Sequence, residues 1–218
     1  MKQLIETISH MAIQQNSPLD ENHSDGRLAS AIAEGPHLKK MQELFNRKLA
    51  RYDITFEIAP PREWNDFKVG PFHINLKITT GGTDNAFNKR AIIFTICGTL
   101  DGVPANMNIN QMMKHIKRLG VKRIRDTHTE YHYLAVHKET GETLFKSILD
   151  IHNYISNPSN TLQINWNHEF ANKDYVCDSY ESKIEELINT LKKSIEKKHS
   201  GENQIKEFDG FSDEYYRS

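Results

Sequence analysis

The chain has 218 residues, 37% hydrophobic and 26% charged, with a formal net charge of −1. That length suits one domain with a sizeable core, and the near-neutral balance excludes binding of polyanions through bulk basicity alone. Cys97 and Cys177 stand far apart with no CxxC pair, which excludes a disulfide framework and fits a reducing compartment. The N-terminus has no signal-peptide pattern and no apolar run is long enough to span a bilayer, so a soluble cytoplasmic protein is expected.

Residues 2–14 have helical spacing through Leu4, Ile5, Ile8, Met11 and Ile13. A polar loop is expected from Asn16 to Arg27, then a short helical turn at 28–33 stopped by Gly35-Pro36. Residues 38–51 read as a helix with Leu38, Met41, Leu44, Phe45 and Leu49 on one face, and 53–59 as a strand ended by Pro60-Pro61. Residues 66–69 and 72–79 predict a hairpin turned at Gly70-Pro71. Gly81-Gly82 then opens a loop, Thr83 to Lys89. The most apolar stretch, Ala91 to Cys97, predicts a central strand buried on both faces. Further on, 110–119 reads as helix, 131–137 as strand, 143–155 as helix, 157–160 as loop, 162–166 as strand and 179–198 as helix. Residues 201–218 carry Glu202, Glu207, Asp209, Asp213 and Glu214 against Lys206 and Arg217, an acidic and loose tail. The expected fold is α/β, a central mixed β-sheet flanked by helices on both faces.

The predicted hairpin carries the chemistry. Asp66 lies at the start of its first strand, and Asn75, Leu76 and Lys77 lie on its second. A carboxylate, an amide oxygen and a backbone carbonyl are oxygen donors of the kind a hard cation takes. A neighbouring lysine can stabilise charge developing on a phosphate. Charges on adjacent strands also form ordinary surface ion pairs, which contribute little. Lys114, Lys117, Arg118, Lys122, Arg123 and Arg125 form a basic cluster that reads equally as phosphate-contacting or as a solvated face. Of eleven histidines, His128, His132 and His137 are the nearest group. They do not share a strand face and no HExxH is present, so zinc is not expected. No Walker A, GxGxxG or GxSxG element occurs.

Residues 39–80 resemble the PD-(D/E)xK nucleases, in particular the EcoRV-like branch of type II restriction endonucleases. The resemblance rests on Gln42-Glu43-Leu44-Phe45, Asn65-Asp66-Phe67 and Ile74-Asn75-Leu76-Lys77. The proline of the motif is Asn65 here, and its second acid is Asn75. Leu162 to Trp166, after the Asn157-Pro158-Ser159-Asn160 loop and before a long terminal helix, is similar to blunt-cutting members of that branch.

The resemblance implies a restriction-endonuclease-like core and a homodimer that cuts double-stranded DNA at a specific sequence. Mg²⁺ would be the cofactor, with no organic cofactor. Asp66, Asn75, Lys77 and Glu43 become the catalytic residues, with Asp66, Asn75 and the Leu76 carbonyl as metal ligands. Thr80, Asp84, Asn85, Asn88, Lys89 and Asn160 become DNA-contacting residues, since Asn and Lys can read base edges or phosphates. In this frame 1–200 is one nuclease domain. Residues 1–37 form a dimerisation arm, 38–137 the catalytic core and 138–200 a C-terminal part with a recognition loop. The alternatives are a structure-selective repair or junction nuclease and a non-catalytic DNA-binding protein.

Overall fold

A computed structural model describes residues 1–15, 26–49, 54–85, 88–157 and 161–198. The chain folds as two compact units that interleave in sequence. One comprises Met1–Gly82 and Tyr131–Ile148, the other Thr83–Glu130 and Leu149–Ser218.

The first unit is a mixed α/β layer structure. Its five-stranded sheet has the order β1 (Phe56–Ile58), β2 (Phe67–Val69), β3 (Phe72–Thr79), β5 (Tyr131–His137) and β6 (Thr143–Ser147). All neighbours are antiparallel except β3 and β5, which run parallel from the His73↔Tyr131 pair to Thr79↔His137. Parallel neighbours need a long crossover, and the chain supplies it by passing through the second unit between them. Helices α1 (Lys2–Gln14) and α2 (Gly26–Leu49) cover one face. There Ile5, Ile8, Met41, Leu44 and Phe45 pack with Ile74, Leu76, Ile78, Leu134 and Val136.

The second unit holds a three-stranded antiparallel sheet, β4 (Thr83–Asn85), β8 (Thr161–Asn165) and β7 (Ile155–Asn157), in that order. Its helices are α3 (Lys89–Cys97), α4 (Ile109–Leu119), α5 (Trp166–Ala171) and α6 (Tyr180–Lys198). No helix of the described residues is long and apolar enough to cross a membrane.

Five elements and the layering of the first unit differ from the sequence reading. Helix α2 runs straight through Gly35-Pro36. Pro36 removes one backbone donor, but Ala33, His37, Leu38 and Met41 on both sides of it are buried, and that packing outweighs the break. Ala91 to Cys97 is helix rather than strand. Ala91, Ile92, Ile93, Thr95 and Ile96 are all buried, so no helical period shows. The ends define it: the Asn88 side chain accepts from Arg90 N–H at 2.9 Å, and Gly98 closes the helix at φ 78°.

Residues 143–155 are not helical. They form strand β6, a 3₁₀ turn at Ile148–Asp150, and the start of β7, because β5 needs an antiparallel partner on its second edge. The expected loop from Thr83 is strand β4, followed at Asn88 by the cap of α3. Helix α5 was not anticipated; the Asn165 side chain starts it by accepting from His168 N–H at 3.2 Å. Finally, within the first unit both helices lie on one face of the sheet rather than on both.

Candidate active site

The β2–β3 hairpin positions the cluster. Gly70 takes φ 54° at the turn, and its N–H donates to the Thr55 carbonyl at 3.0 Å. Alternation along β3 then sends Ile74, Leu76 and Ile78 into the core, while His73, Asn75 and Lys77 share the opposite face.

Strand β2 begins at Phe67, whose partner is Ile74. Just before it, Asp66 N–H donates to the Ile74 carbonyl at 2.9 Å. One step further along β3, Leu76 N–H donates instead to Asp66 Oδ2 at 2.7 Å. A side-chain carboxylate thus takes the ladder position just before β2 starts. The Leu76 carbonyl leaves the strand on the same side as its N–H, toward Asp66. Burial pushes the Asp66 carboxyl above its ordinary range; the Leu76 N–H, the Lys77 charge and the Asn75 amide pull it back down.

Asn75 is half-buried and its amide lies near the side chains of Asp66 and Tyr131. Its Oδ1 is buried without a hydrogen-bond partner. Tyr131, on β5, donates its hydroxyl proton to the Trp64 carbonyl at 2.8 Å and is 1% exposed. Trp64 stacks on His73 at 4.5 Å between ring centroids and on Tyr131 at 5.6 Å. His73 Nδ1 is 3.4 Å from Asn65 Oδ1, and burial lowers its pKa to about 4, with the charges of Lys68 and His132 adding to the effect. Trp64, His73 and Tyr131 therefore form one aromatic cluster next to Asn75 in the strand register. Lys77 is opposite Ala135 on β5, where a methyl group leaves its long chain free passage.

The structure brings Asp66, Asn75, Leu76 and Lys77 together and leaves Glu43 out. Glu43 is 71% exposed, pairs with Lys40 at 3.7 Å, and belongs to α2, which packs on the other face of the sheet. Thr80 is exposed just beyond β3. In the second unit Asp84 and Asn85 are on β4, and Asn85 Oδ1 accepts from Gln163 at 2.9 Å. Asn88 caps α3 and Lys89 is its first residue. Asn160 lies outside the described residues. Three members of the basic cluster have internal partners. Arg118 donates to the Asp101 carbonyl, Lys122 to Thr129 Oγ1 at 2.8 Å, and Arg125 to Glu130, Asp150 and Cys177. Lys114, Lys117 and Arg123 are exposed.

Among the described residues no three His, Cys, Asp or Glu side chains gather as a metal site. His132 stacks on Phe145 at 5.0 Å and is buried, as a core histidine is. The oxygen set at Asp66 is of another kind, with one carboxylate, one amide and one carbonyl. A desolvated carboxylate beside an unpartnered buried Oδ1 is short of positive charge and of a donor, and a hard cation supplies the first while replacing the second. The residues present fit such an ion.

The sequence pattern marks neither Tyr131 nor Trp64 as part of this cluster. Comparison of the chain with protein-family models, curated proteins and solved structures returned no match.

Proposed function

We propose that this cluster is the hydrolytic centre of a Mg²⁺-dependent, sequence-specific double-stranded DNA endonuclease with a restriction-endonuclease-like core. The observation that carries the reading is the meeting of three groups on one strand edge. They are the Asp66 carboxylate fixed by Leu76 N–H, the unpartnered Asn75 Oδ1, and Lys77 two residues further on. Asp66, Asn75 Oδ1 and the Leu76 carbonyl would hold Mg²⁺, which when bound polarises the scissile phosphate and acidifies a water.

The chain's own groups do the rest. The Leu76 N–H holds the carboxylate in place before any ligand arrives, so no reorganisation is needed at the moment of reaction. The Lys77 ammonium puts positive charge beside Asp66, where negative charge develops on the phosphate. Trp64 and Tyr131 place buried aromatic rings next to Asn75 in the strand register. Thr80, Asp84, Asn85, Asn88 and Lys89 are assigned to DNA contact. The Asn85 and Asn88 oxygens already serve Gln163 and Arg90, so their amide donors are the groups left for bases or phosphates. A homodimer reading two half-sites is the assembly this activity implies. The test is digestion of phage and plasmid DNA with Mg²⁺ and an EDTA control, where discrete, EDTA-sensitive fragments are expected.

The single carboxylate favours a second reading, a protein that binds DNA without cutting it. Retarded but intact DNA under Mg²⁺ and Mn²⁺ would select it.

A further inference from the structure

Residues directly opposite one another on neighbouring strands point to the same side of a sheet. Lys68 is opposite His73 in the β2–β3 pairing, and His73 shares its face with Asn75 and Lys77. Lys68 is therefore on the candidate-site face, two residues from Asp66 in the chain. Burial agrees: Phe67 and Val69, on either side of it, are fully buried in the helix-covered core, and Lys68 is only half-buried.

The face thus carries three rows across the hairpin. The middle row is Asp66 and Asn75, held in register by Asp66 N–H on the Ile74 carbonyl and by Leu76 N–H on Asp66 Oδ2. Lys77 is one row to one side of it, and Lys68 one row to the other. Rows on one face are two residues, or about 7 Å, apart. That step is comparable with the separation of successive phosphates along one nucleic-acid strand. Neither ammonium is committed elsewhere. Among the described residues no hydrogen bond or ion pair engages Lys68 or Lys77, although Glu57 is opposite Lys68 on β1. Burial lowers the pKa of His73 to about 4, so the positive charge of its row is that of Lys68.

We infer that Lys68 is a second phosphate-contacting residue of this site. One DNA strand then runs along the hairpin, with the scissile phosphate over the Asp66–Asn75 row and the neighbouring phosphate over the Lys68 row, an assignment that rests on the DNA-directed reading of the cluster. A compact ammonium on a flexible stem suits a phosphate that needs charge rather than exact geometry. Its loss should therefore cost affinity and not chemistry.

The test is fluorescence anisotropy of a fluorescein-labelled DNA duplex in Ca²⁺ over about 50 to 200 mM salt, in full-length wild type, Lys68→Gln, Lys77→Gln, the double variant and Lys68→Arg. Each single Gln variant should lower the slope of log affinity against log salt by about 1, and the double variant by about 2, because the two lysines serve different phosphates. Lys68→Arg should restore the wild-type slope, since it keeps the charge. In cleavage assays Lys68→Gln should raise KM and leave kcat nearly as it is. An unchanged slope in Lys68→Gln would overturn the inference. So would a double variant no weaker in slope than Lys77→Gln alone, which would mean that both ammoniums face one phosphate. A fall in kcat at unchanged KM would overturn it too, by moving Lys68 into the chemistry. These results would leave the nuclease reading standing. A wild-type protein that neither binds nor cuts the duplex would instead overturn that reading, and the role of Lys68 with it.

Discussion

The two faces of the five-stranded sheet are built from the same strands and obey opposite rules. On the helix-covered face, Ile74, Leu76 and Ile78 alternate into a layer of aliphatic and aromatic side chains, and local pattern agrees with global packing. On the other face the same strand offers His73, Asn75 and Lys77, with Asp66 at the end of the ladder and an amide oxygen buried without a partner. The first face holds the fold together. The second departs from the rules of a satisfied interior, and such departures concentrate where a protein binds or reacts.

The largest effect expected from separating the faces is at Asp66. In Asp66→Asn the amide oxygen still accepts from Leu76 N–H, yet the charge is gone, so cleavage should disappear. Stability should move the other way. The Asp66 carboxyl is raised in the fold, so its ionised form disfavours folding, and that cost sets in as pH rises above the unfolded value of 3.8. In EDTA at neutral pH the variant should therefore melt higher than wild type. A variant that melts lower and still cuts would place the site elsewhere.

Phe45→Ala is the converse. Phe45 is 2% exposed and packs on Phe56 at 5.5 Å, so truncation should cost about 3–5 kcal/mol. Urea titration measures this, and divalent-ion affinity at a temperature where the variant is folded should be unchanged. A specific loss of ion binding would mean that the two faces are mechanically coupled.

His37 sharpens the contrast through pH. It is fully buried on α2, 3.1 Å from Ser9 Oγ, and burial lowers its pKa from 6.5 to about 4. The folded state thus binds fewer protons than the unfolded chain, and stability falls as pH drops from 6.5 through 4. The gap corresponds to roughly 3 kcal/mol. His37→Gln keeps a hydrogen-bonding group without the titration and should flatten the melting profile between pH 7 and 4. His73, also lowered to about 4, contributes in the same direction, so its Gln variant is the matched control. An unaltered profile in both would exclude burial of neutral histidine as the source.

How far these features could be read in the sequence depends on how local they are. The β2–β3 hairpin was legible because Gly70-Pro71 marks the turn and the apolar alternation marks the faces. Asp66, Asn75 and Lys77 lie on that one hairpin, so their meeting followed from it. Ala91 to Cys97 was not legible as helix because burial on all sides erases the period, leaving only Asn88 and Gly98 to mark its ends. Tyr131 was legible as strand but not as a neighbour of Asn75. Parallel register between β3 and β5 is set by packing across a long crossover, and nothing near either strand in sequence encodes it.

The smallest expected effect is the most pointed test of the two-face division. Glu43 carries the acid that the resemblance would assign to the site, but its side chain is solvated on the outer surface of α2. An exposed pair such as Lys40–Glu43 contributes at most about 1 kcal/mol, and often nothing measurable. Glu43→Ala should therefore leave the urea midpoint, Mn²⁺ affinity and cleavage rate nearly as they are, while Asp66→Asn loses cleavage altogether. A large loss of activity in Glu43→Ala with intact stability would mean that Glu43 reaches DNA or a second subunit from the helical side. The division of labour between the two faces would then hold only for the isolated chain.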